Sequence, residues 1–260
     1  MSETTDGETV TDPPAGAPSV LLLSTGERSR ELASAFGRLG AQVTVCDDMA
    51  TMTDADALTA LIDGTKPRYV LADAGAVATD ALLAVAERDD VDVFPTPRGM
   101  RLSLDGEGLR RLAADELGLP TAPFWFAGSV DELTAIAQHA GFPLLVKPVV
   151  AAPGEGESIV LRDDDVEPAW RRAVAGGRLG LHRVLAETVV EVDVEVTLLT
   201  VRTTGDAGPA VYFCEPVGHY RPDADTLESW QPQQLSPAAL DAAKSIAARI
   251  VNSLGGRGVF

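Results

Sequence analysis

The stretch "PSVLLLSTGERSRELASAFGRLGAQVTVCDD", residues 18–48, limits the fold more than any other part of the chain. An apolar run ends in a polar turn with a glycine. A pattern with apolar residues every three to four positions follows, and a second β-rich run closes the segment. That order reads as strand, amphipathic helix, strand. "PRYVLAD", residues 67–73, is a third strand; "AVATDALLAVAER" is a helix and "VDVFP" a short strand. Strands alternating with helices predict a parallel, doubly wound sheet, because parallel neighbours need a long crossover and a helix supplies it. Ligands of such sheets sit at the carboxyl ends of the strands, here "STGER" and "ADAGA".

A second region opens at residue 105. "LDGEGLRRLAADELGLPT" predicts a helix with Leu109, Leu112 and Leu117 on one side, closing at Gly118 and Pro120. "SVDELTAIAQHAG" is a helix and "PLLVKP" a strand. The glycine-rich loop "VVAAPGEGES" follows at residues 149–158, then "SIVLRD", a helix through Trp170, and "RVLAETVV". "VDVEVTLLTV" and "PAVYFCEP" predict antiparallel neighbours across the turn "RTTGDAG". "SPAALDAAKSIAARIVNSLGG" predicts a helix with Ser236 as cap, Pro237 at its first position and Gly255 as its stop. The fold class expected is α/β. Residues 1–17 read as a disordered tail, low in apolar residues and rich in turn formers. Residues 18–104 read as a parallel domain and 105–260 as an α+β domain.

Charge removes several function classes. The 260 residues carry a formal charge of −18, with 3 lysines against 18 arginines. A phosphate backbone needs clustered cations, so nucleic acid is not expected as a partner. No apolar run approaches the roughly 20 residues that span a bilayer, and the polar start does not resemble a signal peptide. Neither membrane association nor export is expected, and the compartment expected is the cytoplasm. Cys46 and Cys214 are too far apart in sequence for metal spacing and read as ordinary thiols in a reducing compartment.

The candidate chemistry centres on a lysine ending a strand, Lys147, followed by "GEG", Gly154, Glu155 and Gly156. Such an order suits nucleotide phosphates, although a lone Gly-x-Gly is also an ordinary hairpin. Glu155 puts a negative charge where a phosphate would sit. Forty residues on, "AETVVEVDVEV" places Glu187 at a strand end and Glu195 eight residues later. An extended Glu-x-Val-Val stretch can offer backbone groups to adenine, and a later carboxylate can accept from ribose hydroxyls. Both glutamates also read as solvated strand faces.

The segments "DGEGLRRLAADELGLPT", "FPLLVKP", "GEGES", "RVLAETVVEVDVEVTLLTVR", "CEPVGH" and "ESWQPQQLSP", in this order and spacing, resemble the ATP-grasp ligases. Among them the chain is most similar to the phosphoribosylglycinamide formyltransferase 2 family. "ESWQPQQLSP" is the most specific match, and the resemblance covers about residues 18–260. It implies a pre-ATP-grasp substrate-binding domain before an ATP-grasp domain. It implies phosphorylation of formate by ATP to formyl phosphate, attacked by the amine of glycinamide ribonucleotide, with Mg2+ as cofactor and a homodimer as the assembly. For the site it implies ATP contacts from Lys147, Gly154, Glu155, Gly156, Glu157, Glu187, Thr188, Val189, Val190 and Glu195. It implies substrate contacts from Glu27, Arg28 and Asp73. The catalytic residues stay unassigned.

The chain also departs from the family. A lysine is expected where Glu155 stands, and an arginine touching ATP where Gly106 stands. Ala151, Ala152 and Pro153 replace a serine-rich stretch, and Asp73 replaces a glutamate. The family's metal-binding glutamates are expected beyond Phe260, which leaves the ATP-grasp unit incomplete and the metal ligands outside these residues. Three readings stay open: the formyltransferase or its N-terminal portion, a degenerate nucleotide-binding or interaction remnant, and an ATP-grasp enzyme of another purine intermediate. "ESWQPQQLSP" disfavours the last.

Overall fold

The computed structural model describes residues 16–73, 77–151, 154–177, 182–205, 208–221 and 226–260. Most of the tail expected at residues 1–17, and the Ala152–Pro153 part of the glycine loop, lie outside them. The chain divides into two units, residues 1–97 and 98–260.

The first unit runs β1 (Ser19–Leu23), α1 (Glu27–Arg38), β2 (Gln42–Cys46), α2 (Met49–Thr53), α3 (Ala55–Thr65), β3 (Tyr69–Ala72), α4 (Thr79–Ala86) and β4 (Asp92–Phe94). The strands form one parallel sheet in the order β2-β1-β3-β4. Leu21, Leu22 and Leu23 of β1 are all buried, on both faces of the strand. An unbroken apolar strand is what a parallel sheet covered on both sides requires. Met52, Leu58, Ile62, Leu82 and Val85 supply helix side chains to the same core. The pattern left residues 49–65 unassigned. They form α2 and α3 because Asp48 accepts from the amides of Ala50 and Thr51, and Asp54 accepts from that of Ala57. Two successive side-chain caps let two short helices abut.

The second unit begins within α5 (Pro97–Leu104), followed by α6 (Gly106–Arg111) and a π-helical turn, Leu112–Glu116. That turn shifts the helix phase. Of the leucine face expected, Leu112 is buried and Leu109 is exposed. Next come β5 (Phe124–Ala127), α7 (Val130–Ala140), β6 (Leu144–Pro148), β7 (Ser158–Val160), α8 (Val166–Gly176) and β8 (Val184–Thr188). These strands form an antiparallel sheet in the order β5-β8-β6-β7. One of its faces packs on α7 and α8 through Leu133, Ala137, Val146, Ala169, Ala173 and Ala186.

The long run expected at 192–201 breaks in two. β9 (Glu195–Thr197) joins one sheet, while β10 (Thr200–Gly205) pairs antiparallel with β11 (Gly208–Phe213), as its turn predicted. β12 (Val217–Tyr220) lies between β9 and β13 (Glu228–Trp230). α9 (Pro237–Leu254) starts at the Ser236 cap, whose side chain accepts from the Ala239 amide, and ends at Gly255. β14 (Gly258–Val259) pairs with β10.

Candidate functional site

The antiparallel sheet of the second unit has two unlike faces. Alternation along β6 buries Leu144, Val146 and Pro148 and leaves Leu145 and Lys147 on the opposite side. In register, Leu145 faces Glu187 and Lys147 faces Leu185 across β8, and Phe124 faces Glu187 across β5. Directly opposed residues share a face, so Lys147 and Glu187 are diagonal neighbours, within reach of long side chains. Lys147 Nζ donates to Glu187 Oε1 at 2.6 Å. Arg110, one turn along α6 from Gly106, donates from Nη2 to Glu187 Oε2 at 2.5 Å. The Glu187 residue is only 7% exposed. A buried carboxylate is tolerated where charge partners meet both oxygens.

A second network fixes α6 above this face. Arg183, just before β8, makes a two-pronged pair with Glu107 through Nε and through Nη2, the latter at 2.9 Å from Oε1. Arg111 adds Nη2 to Glu107 Oε1, also at 2.9 Å. The hydrogen bonds from Arg183 outweigh burial and, with those from Arg111, hold the Glu107 carboxyl down at about 2, while Glu107 raises Arg183. Arg110 lies over the Phe124 ring, and Arg111 and Arg183 over Phe126, at 5.4 to 5.7 Å from the centroids. Rings two residues apart on β5 thus form an apolar floor under three guanidinium groups.

The glycine loop follows Lys147. Gly154 and Gly156 have φ of 83° and 73°, the left-handed region that glycine enters without strain. A Cβ on Gly156 would stand 2.8 Å from Pro148 Cγ, and one on Gly176 2.7 Å from Gly156 Cα. The loop therefore lies glycine on glycine against the end of α8. The Gly154 amide donates to Glu157 Oε1 at 3.2 Å. Gly106 is equally constrained, because a Cβ there would stand 2.4 Å from the Val149 carbonyl oxygen. No larger residue enters that position with the loop as it stands.

After Glu187, the Thr188 amide donates to the Pro123 carbonyl at 3.0 Å and the Val189 amide to that of Pro143 at 3.5 Å. Val189 and Val190 are exposed. Glu195 opens β9, in a different sheet from Glu187, and is exposed. In the first unit the chain leaves β1 one way to β2 and returns to β3 on its other side. Ser24, Glu27 and Arg28 follow β1, and Asp73 follows β3, so they flank the switch point where such sheets bind ligands. Ser24 Oγ donates to Asp73 Oδ2 at 3.2 Å, and Arg28 Nη1 to Oδ1 at 3.4 Å. Glu27 is the first residue of α1. Among the described residues no group of three or more His, Cys, Asp or Glu is placed to hold a metal ion. No described helix is long and apolar enough to cross a membrane.

Sequence reasoning missed Ser24, Glu107, Arg110 and Arg183. The one available signal was the excess of arginine over lysine, since planar guanidinium groups suit two-pronged and stacked contacts.

A sheet with one face on two helices and the other carrying a lysine, a glycine loop and an exposed Val-Val strand exit matches a known class. Residues 112–260 match the ATP-grasp domain, and the chain belongs to the ATP-grasp family. A solved structure titled glycinamide-RNase-transformylase T, from Mycobacterium tuberculosis, is 49% identical with a TM-score of 0.76, over 93% of this chain and 68% of its own. A formate-dependent phosphoribosylglycinamide formyltransferase of Burkholderia pseudomallei (strain 668) is 44% identical over 94% of this chain. Within the ATP-grasp proteins the chain thus belongs with the formate-dependent phosphoribosylglycinamide formyltransferases. It spans 64% of the length of that curated relative. A carboxyaminoimidazole ribonucleotide synthase of Aspergillus clavatus, solved with ATP, shares the fold at a TM-score of 0.75 and 22% identity.

Proposed function

We propose that this chain binds ATP on the open face of the β5-β8-β6-β7 sheet and serves the ATP- and formate-dependent formylation of glycinamide ribonucleotide. The observation that carries this is Lys147 beside Glu187 on that face, at the foot of the glycine loop. Lys147 meets the phosphates as a point charge. The amides of residues 154–157 cradle them, including the Glu155 and Glu157 positions. Glu187, Thr188, Val189 and Val190 seat the adenine, and Glu195 takes the ribose. Glu27, Arg28 and Asp73 hold glycinamide ribonucleotide at the switch point of the first unit. Residues 18–104 then act as the substrate domain and 105–260 as the ATP-grasp domain, in a homodimeric, cytoplasmic enzyme. Magnesium is the cofactor the family resemblance implies. The described residues offer no cluster to hold it, and no step here is routed through it.

A second reading, a nucleotide binder with little catalysis, has its own observations. Val149 fills the space beside Gly106 where an arginine is expected, and Glu157 occupies the Gly154 amide. Calorimetric titration with ATP tests the binding shared by both readings. Saturable binding that GTP fails to displace is expected, and no binding at millimolar ATP overturns both. Formylglycinamide ribonucleotide production from ATP, formate and substrate separates them: turnover supports the enzyme, and tight binding without turnover the binder.

A further inference from the structure

We infer that Arg110 is a positioning residue that frees Lys147 for its ligand. The inference rests on the ATP-binding reading of this face and goes beyond it. Lys147 is spent on Glu187, at 2.6 Å. Glu187 is buried, so a lysine that swung away alone would strand a carboxylate without solvent, a costly state. Arg110 prevents this. It holds the other oxygen at 2.5 Å and keeps doing so when Lys147 leaves.

Arg110 is built for the task. Its guanidinium lies over the Phe124 ring at 5.4 Å, and Phe124 stands directly across from Glu187 in the sheet. Its neighbour on α6, Arg111, binds Glu107, which Arg183 clamps to the start of β8. Arg110 is thereby held on Glu187 by its own helix. Lys147 hangs on a flexible four-carbon stem from β6 and is the partner able to move. One carboxylate between two cations thus acts as a latch with a fixed half and a mobile half.

The test uses the whole chain and two readouts. The chain has three lysines, Lys66, Lys147 and Lys244, so their 15N-labelled ammonium signals are few enough to assign by substitution. In the unaltered chain, ATP shifts the Lys147 signal. In Arg110→Gln, Lys147 stays on Glu187, its signal responds little to ATP, and ATP affinity falls roughly tenfold, the scale of one charge-assisted bond. Adenosine, which lacks phosphates, binds Arg110→Gln as it binds the unaltered chain, which also reports that the variant is folded. Equal ATP affinity in Arg110→Gln, or equal losses for ATP and adenosine, overturns the inference while leaving the nucleotide reading in place. An unaltered chain that binds neither ligand overturns both together.

Discussion

At the scale of single residues the second unit is governed by where its few cations sit. Glu107 is the best-defined case. Its folded-state pKa lies below its usual value, at about 2, chiefly through Arg183. A depressed carboxyl pKa stabilises the fold above the unfolded value and loses that contribution as pH falls through the folded one. Comparing Glu107→Gln with the unaltered chain by thermal melting, the difference should be full at pH 6 and shrink between about pH 4.5 and pH 2. A difference that stays constant down to pH 2 would mean that the charge does not hold α6 in place. Glu155 belongs to the same scale. It stands between two glycines of the proposed phosphate loop. Glu155→Lys should tighten ATP binding, more so at low ionic strength, where screening reaches less far. Unchanged affinity at low salt would remove the electrostatic account of the loop.

At the scale of elements, the site depends on close backbone approach. The glycine loop reaches α8 only because Gly156 and Gly176 both lack a Cβ. Gly176→Ala places a methyl group 2.7 Å from the Gly156 Cα, which is backbone and cannot turn aside. Overpacking of this kind costs roughly 1–3 kcal/mol. The variant should melt several degrees lower, with faster amide exchange at residues 154–157; unchanged melting and exchange would show that the loop does not rest there. This scale also separates what the sequence reveals from what it conceals. The βαβ order of the first unit, the Ser236 and Gly255 limits of α9 and the β10–β11 hairpin were legible, because caps, turns and period are local signals. Lys147, the glycine loop and Glu187 were legible as a pattern, and the structure brings Lys147 and Glu187 together. Arg110 and Arg183 were not legible. Their partners are 77 and 76 residues away, and nothing in "LRR" or "LHRV" tells which arginine turns toward a distant glutamate. The π turn at 112–116 escaped for a related reason: the leucine spacing fits an ordinary helix, and only packing shows the change of phase.

At the scale of the whole molecule, a net charge of −18 opposes a polyphosphate. Long-range attraction cannot recruit ATP to such a protein, so affinity has to come from short-range contacts in a partly buried place. Among the described groups on the open sheet face, Lys147 is the cation at the foot of the glycine loop, and Arg110 is committed to Glu187. The account therefore stands on Lys147. The most direct test is the Kd of ATP and of adenosine, measured by calorimetry at one salt concentration for the unaltered chain and for Lys147→Gln. The prediction is a loss of roughly tenfold or more for ATP, with adenosine unchanged within error. Equal ATP affinity in the two proteins would contradict the placement of the phosphates at Lys147, and with it the assignment of this face as the nucleotide site.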